Sequence, residues 1–111
     1  TFKTITKAGV TSLDTIYTVA SSTTAVVLGL VLGNTTSSSV TATVTLSSDT
    51  ANRAGANNEA NQDVEIITNA PIPSASSLSV LDGKIIMETT DVLKVSASGA
   101  TDVILSVMEQ T

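Results

Sequence analysis

The sequence predicts an all-β fold, an antiparallel β-sandwich or jelly roll of about eight or nine strands, on three observations. Residues 40–46, "VTATVTL", alternate strictly, with Val40, Ala42, Val44 and Leu46 on one face and three threonines on the other, the pattern of a half-buried strand. Turn-forming residues recur between such runs. A helical period is hard to find anywhere in the chain.

Taken in order, residues 2–7 are the first β-branched run and 13–19 the second. A break at Ala8-Gly9 separates them, and glycine there tolerates a positive φ. Residues 25–32, "AVVLGLVL", form the longest apolar stretch. It is far short of the roughly 20 residues a membrane helix needs, so it reads as a strand and its Gly29-x-x-x-Gly33 spacing as incidental. Gly33-Asn34 is expected to turn the chain into the alternating run 40–46. Residues 47–62 are polar and unpatterned, the longest expected loop, with a short helix at 54–60 allowed by Ala and Glu. Runs at 63–68, 77–81, 84–88, 92–97 and 102–109 supply the remaining strands. Pro71-Ile72-Pro73 predicts an extended connection lacking two backbone donors. Asp82-Gly83 and Ser98-Gly99 predict turns, and Glu88-Thr89-Thr90-Asp91 predicts a hairpin turn closed by an Asx interaction of Asp91.

A chain of 111 residues with 41% hydrophobic residues and a mean hydropathy of +0.34 is expected to fold as one sandwich domain over residues 1–111. Phe2 and Tyr17 are its only aromatic residues, so the core must be aliphatic. The net charge is −5, and Lys3, Lys7, Arg53, Lys84 and Lys94 are scattered, so no phosphate-binding surface and no nucleic-acid partner is expected. No apolar segment follows the N-terminal lysines, so neither a signal peptide nor a membrane contact is expected.

The chain has no histidine and no cysteine, which removes the commonest general base, the usual zinc ligands, the thiol nucleophile and the serine triad. Asp63 with Glu65, and Glu88 with Asp91, are the carboxylate pairs that remain, without the aromatic platforms that sugar hydrolysis usually employs. Asp49, Asn52, Asn57, Asn58, Glu59 and Asp63 supply oxygen donors, but Ala51 stands where the second calcium ligand of an EF-hand spacing belongs. Asn34-Thr35-Thr36 fits a glycosylation sequon. The expectation is no enzyme, no cofactor, no metal and no small-molecule substrate.

One pattern points to a partner. In residues 25–32, Val26, Leu28, Leu30 and Leu32 alternate with Ala25, Val27, Gly29 and Val31, so both faces are apolar; the runs around Ile86 and Ile104 share this in part. Something must cover the second face, and the expectation is a further copy of the chain in a homo-oligomer or another protein, with a loop of the same chain or a doubly buried central strand as the alternative. The expected partner-facing residues are Phe2, Ile5, Val27, Val31, Ile104 and Met108, with residues 2–7 and the edge strands adding to a neighbour's sheet.

The C-terminal stretch "APIPSASSLSVLDGKIIMETTDVLKVSASGATDVILSVMEQT" resembles small β-sandwich virion proteins of tailed bacteriophages, especially marine and cyanobacterial ones, at Pro71, Pro73, Leu81, Gly83-Lys84, Asp91, Leu93 and Glu109. The first half, from "TIYTVA" through "VTATVTL", is similar in layout. Thr89-Thr90 departs from those proteins, which often carry Ala-Gly before the aspartate. The resemblance implies a non-enzymatic structural protein at the virion, first a capsid decoration or cement protein acting in many copies on the major capsid protein. Its alternatives are a neck, tail or fibre component, or a carbohydrate- or receptor-binding module.

Overall fold

The computed structural model of the chain describes residues 1–48 and 63–111, where the alternating runs become nine strands. They are β1 (Phe2–Val10), β2 (Asp14–Thr18), β3 (Thr24–Asn34), β4 (Val40–Ser47), β5 (Asp63–Ile72), β6 (Ser77–Ser79), β7 (Ile85–Met87), β8 (Val92–Ala97) and β9 (Thr101–Gln110). They form two antiparallel sheets. Sheet A has the order β1-β9-β3-β6, with β7 also on β3; sheet B has the order β2-β8-β4-β5. The fold is a β-sandwich.

The inward residues are aliphatic, as the shortage of aromatics requires. From sheet A they are Val27, Leu30, Leu32, Val103, Leu105 and Val107, all at most 1% exposed. Val44, Leu93 and Val95 of sheet B, at 0%, meet them. Fully burying a side chain of this size is worth roughly 1.5–3 kcal/mol, so the shared interior is what holds the two sheets together.

Among the described strands, β4 and β5 are the sole pair of chain neighbours that also pair with each other. This corrects the hairpin expected at residues 88–91: β7 lies on β3 in sheet A, whereas β8 lies between β2 and β4 in sheet B. The tetrapeptide is a corner between sheets. Asp91, 3% exposed, accepts from the Glu88 amide at 2.9 Å through Oδ2, and its own amide donates back to the Glu88 carbonyl at 3.1 Å. The corner is pinned to the end of β2: the Val19 amide donates to the Asp91 carbonyl at 2.9 Å and the Thr90 amide to the Val19 carbonyl at 3.0 Å. Thr90 adopts φ +66°, a region that glycine enters without strain and a β-branched residue does not.

Two further expectations change. Pro71 lies inside β5 rather than in a connection, which the edge position of β5 permits because no neighbour needs its missing N–H. Gly33-Asn34 ends β3 instead of turning, and Asn34 is buried at 4% exposure. Its Nδ2 donates to the carbonyls of Ser38 at 2.8 Å, Ile72 at 2.9 Å and Pro73 at 3.2 Å. Its Oδ1 accepts from the Thr36 amide at 2.8 Å and the Thr36 hydroxyl at 2.7 Å. Asn34 therefore ties the exit of β3 to the entry of β4 and the end of β5, and its amide is committed within the fold rather than open to glycosylation.

Candidate association face

The register of sheet A decides which residues face outward. Across the sheet, Phe2 pairs with Met108, Met108 with Val26, and Val26 with Ile86. These four form one continuous row on the side away from the core. A second row runs Thr6, Ile104, Val31, Ser79. Between them, Thr4 lies opposite Ser106 and Ser106 opposite Gly29.

A bulge between Val27 and Gly29 places Leu28 out of the ladder and reverses the inside-outside phase of β3. Ala25 and Val27 point inward before it, Leu30 and Leu32 after it, so Val26, Leu28 and Val31 share the outer side. Phe2 is 74% exposed, Ile86 63%, Ile104 49%, Leu28 38% and Val31 37%.

Of the six expected partner-facing residues, Phe2, Val31, Ile104 and Met108 come together on this face. Val27 does not: it is wholly buried in the core, because the bulge follows it rather than precedes it. Ile5 does not either. It pairs with Leu105 on the inner side and packs partly buried against the core. Ile86 and Leu28 join the face; the alternation around Ile86 signals it in the sequence, whereas the exposure of Leu28 depends on a bulge that alternation does not reveal.

Sheet B presents a different surface. Its corresponding row is Thr15, Lys94, Thr45, Glu65, and Thr43 beside it pairs with Ser96. One outer face is thus hydroxyl-bearing and charged, the other aliphatic. On the paired outward positions of sheet A the charged residue is Asp102, at the far end, where its carboxylate accepts from the Gly9 amide at 3.0 Å.

The sheet edges are guarded. On β1, Lys3 and Lys7 point inward, opposite Val107 and Val103, and inward lysines on an edge strand discourage further strand addition. Lys3 Nζ lies 2.8 Å from Glu109 Oε1, and Lys7 Nζ reaches Asp14 on the other sheet at 3.7 Å. The β5 edge carries Asp63, Glu65 and Pro71 and is irregular at two places in its pairing with β4. The β2 edge has a bulge between Thr15 and Tyr17, and β6 and β7 span three residues each. Short, bulged, charged and proline-bearing edges resist pairing with another chain.

Tyr17 is buried at 9% exposure and donates its hydroxyl to Glu109 Oε2, so it is no exposed platform for a sugar ring. Burial first, and the Glu109 carboxylate second, push the Tyr17 phenol above its usual range. Glu109 is held below the usual carboxylate range, chiefly by Lys3 and then by the Tyr17 hydroxyl. The backbone closes the same corner, with the Glu109 amide donating to the Thr1 carbonyl at 2.7 Å.

The carboxylates singled out in the sequence have local partners. Asp63 Oδ1 accepts from Ser47 at 2.6 Å, and Glu65 Oε1 accepts from the Thr68 hydroxyl. Among the described residues no group of three or more acidic side chains is placed to hold a metal ion. The oxygen donors expected between Asp49 and Glu59 and the short helix expected at 54–60 lie outside the described residues.

Fold and surface together define a β-sandwich with one aliphatic and one polar outer face. No protein-family model matches the chain, and no curated protein matches it. A solved structure described as "Bacillus endospore appendages form a novel family of disulfide-linked pili" is similar over 100% of this chain and 85% of that one, with 16% identity and a TM-score of 0.48. At that level the likeness carries no inference about role.

Proposed function

We propose that the chain is a non-enzymatic structural protein of a tailed-phage virion, a capsid decoration or cement protein that acts through repeated contacts of its aliphatic sheet face. The observation that carries the associative part is the in-register row Phe2, Met108, Val26, Ile86 on a sheet face that no other strand of the described residues covers. An exposed apolar patch of several hundred Å² is usually an interaction surface. Weak contacts made by many copies sum to tight attachment when geometry allows simultaneous engagement. The virion setting comes from the resemblance of the C-terminal stretch around Gly83-Lys84, Asp91 and Leu93 to phage virion proteins.

Quantitative mass spectrometry and immunogold labelling of purified particles from the source test this reading. It expects the chain in tens to hundreds of copies per particle, with label over the head. Label confined to the tail would transfer the role to the neck, tail or fibre alternative, and absence from particles would overturn the virion reading.

A further inference from the structure

We infer that the outer face of sheet A is a two-fold interface with a second copy of this chain, packed sheet against sheet. The inference rests on the associative reading above and assigns the aliphatic face to a second copy, so that a dimer, through its remaining surface, is the unit that meets the shell.

Phe2 offers on the order of 150–250 Å² when fully open and the aliphatic side chains less, so the five exposures from Phe2 to Val31 leave at most about 500 Å² of apolar surface per copy. Two such faces together bury at most about 1,000 Å², the lower bound for a specific interface. Half-buried Met108 and Val26 extend it along the first row.

Charge selects the occupant. Each copy carries a net charge of −5, yet the two outward rows are uncharged, the inward side of β1 holds Lys3 and Lys7, and Asp102 sits at the far end. Two copies that approach through these paired rows bring no like charges against each other. A second copy supplies the same aliphatic rows by symmetry, which is what a two-fold contact requires. Flat sheet faces stack about 10 Å apart with side chains interleaved. The guarded edges exclude the competing mode, in which copies join by extending a sheet.

Sedimentation equilibrium on the whole chain, with Ile104→Lys, Ile86→Lys and, on the opposite face, Thr41→Lys, tests this. The wild type and Thr41→Lys are expected at twice 11.2 kDa in the micromolar range. Ile104→Lys and Ile86→Lys are each expected at 11.2 kDa with an unchanged far-UV spectrum. Ile86 and Ile104 are exposed in the single chain, so a lysine at either place is accommodated by the fold. A wild-type mass of 11.2 kDa throughout, or an oligomer that survives both lysines, overturns the inference. A monomer found abundantly in particles would remove the dimer and leave the virion role standing; a dimer absent from particles would do the reverse.

Discussion

Asn34→Asp replaces one nitrogen by oxygen at a buried junction and leaves the shape unchanged, so its cost isolates the hydrogen bonds. In the native chain Nδ2 faces three carbonyls, of Ser38, Ile72 and Pro73, at 2.8, 2.9 and 3.2 Å, and satisfies them with two N–H groups. A carboxylate there offers no donor, and each buried polar group left without its partner costs about 1–3 kcal/mol. Two lost donors thus remove about 2–6 kcal/mol at neutral pH, a large share of the roughly 5–15 kcal/mol that stabilises a domain. The protonated acid restores one donor. Facing carbonyl oxygens in a buried site, the introduced carboxyl has its folded-state pKa raised above the unfolded value of about 3.9. The folded variant then binds more protons than the unfolded one, so the variant recovers stability in acid and loses it as pH rises through the carboxylate range. Urea unfolding followed by far-UV circular dichroism measures this, with a slope of about 1–3 kcal/mol per molar. The midpoint is expected to fall by about 1–2 M at pH 7 and by less than half of that near pH 4, at unchanged slope. A variant within about 0.5 kcal/mol of wild type at pH 7 would refute the claim that Asn34 joins β3, β4 and β5.

Gly99→Ala is expected to cost about 1–3 kcal/mol in urea unfolding, because its Cβ would lie 2.8 Å from Cγ1 of Val40, itself 5% exposed. Val40→Ala in the same chain should recover part of that loss. Thr90→Gly is expected to raise stability by about 0.5–1 kcal/mol, since relief of the φ +66° strain exceeds the added chain entropy. A fall in the midpoint would show instead that the Thr90 side chain holds the corner. The Tyr17 and Glu109 pair predicts loss of stability at both ends of the pH scale. Glu109 titrates lower in the folded chain, so its contribution is complete above the usual carboxylate range and is lost as pH falls through the depressed value. Tyr17 titrates higher, so the folded chain keeps its proton and stability declines as pH rises past about 10, the free phenol's value. Midpoints measured against pH for the wild type and Tyr17→Phe should show the alkaline decline only in the wild type.

The strands were legible because alternation reports a half-buried extended chain directly, and all but β6, which is Ser-Leu-Ser, lie on runs that contain β-branched residues. Pairing was not legible. Glu88-Thr89-Thr90-Asp91 has the composition of a hairpin turn, yet its hydrogen bonds run to Val19 at the end of β2, a contact distant in sequence that carries the chain from one sheet to the other. Asn34 carries the same ambiguity, since asparagine after glycine suits a turn as well as a buried hub. The apolar outer face of sheet A was legible in outline, through the two apolar sides of residues 25–32, and Phe2, Val31, Ile104 and Met108 lie on it. Val27 was misplaced because a single bulge residue reverses the phase of every position beyond it. Ile5 lies elsewhere because it stands three residues from Phe2, an odd spacing that puts the two on opposite faces of β1, with Ile5 beside Leu105 on the inner side.

The absence of native cysteine makes a single introduced thiol a unique reporter of cover. The most direct measurement of the central claim compares maleimide labelling of Ile104→Cys and Thr41→Cys, each in purified particles and in the urea-unfolded chain. The account predicts that the thiol at position 104 is protected in particles by at least about tenfold relative to the unfolded chain, while the one at position 41 labels freely in both. Free labelling at 104 with protection at 41 would place the contact on sheet B and contradict the assignment of the aliphatic face.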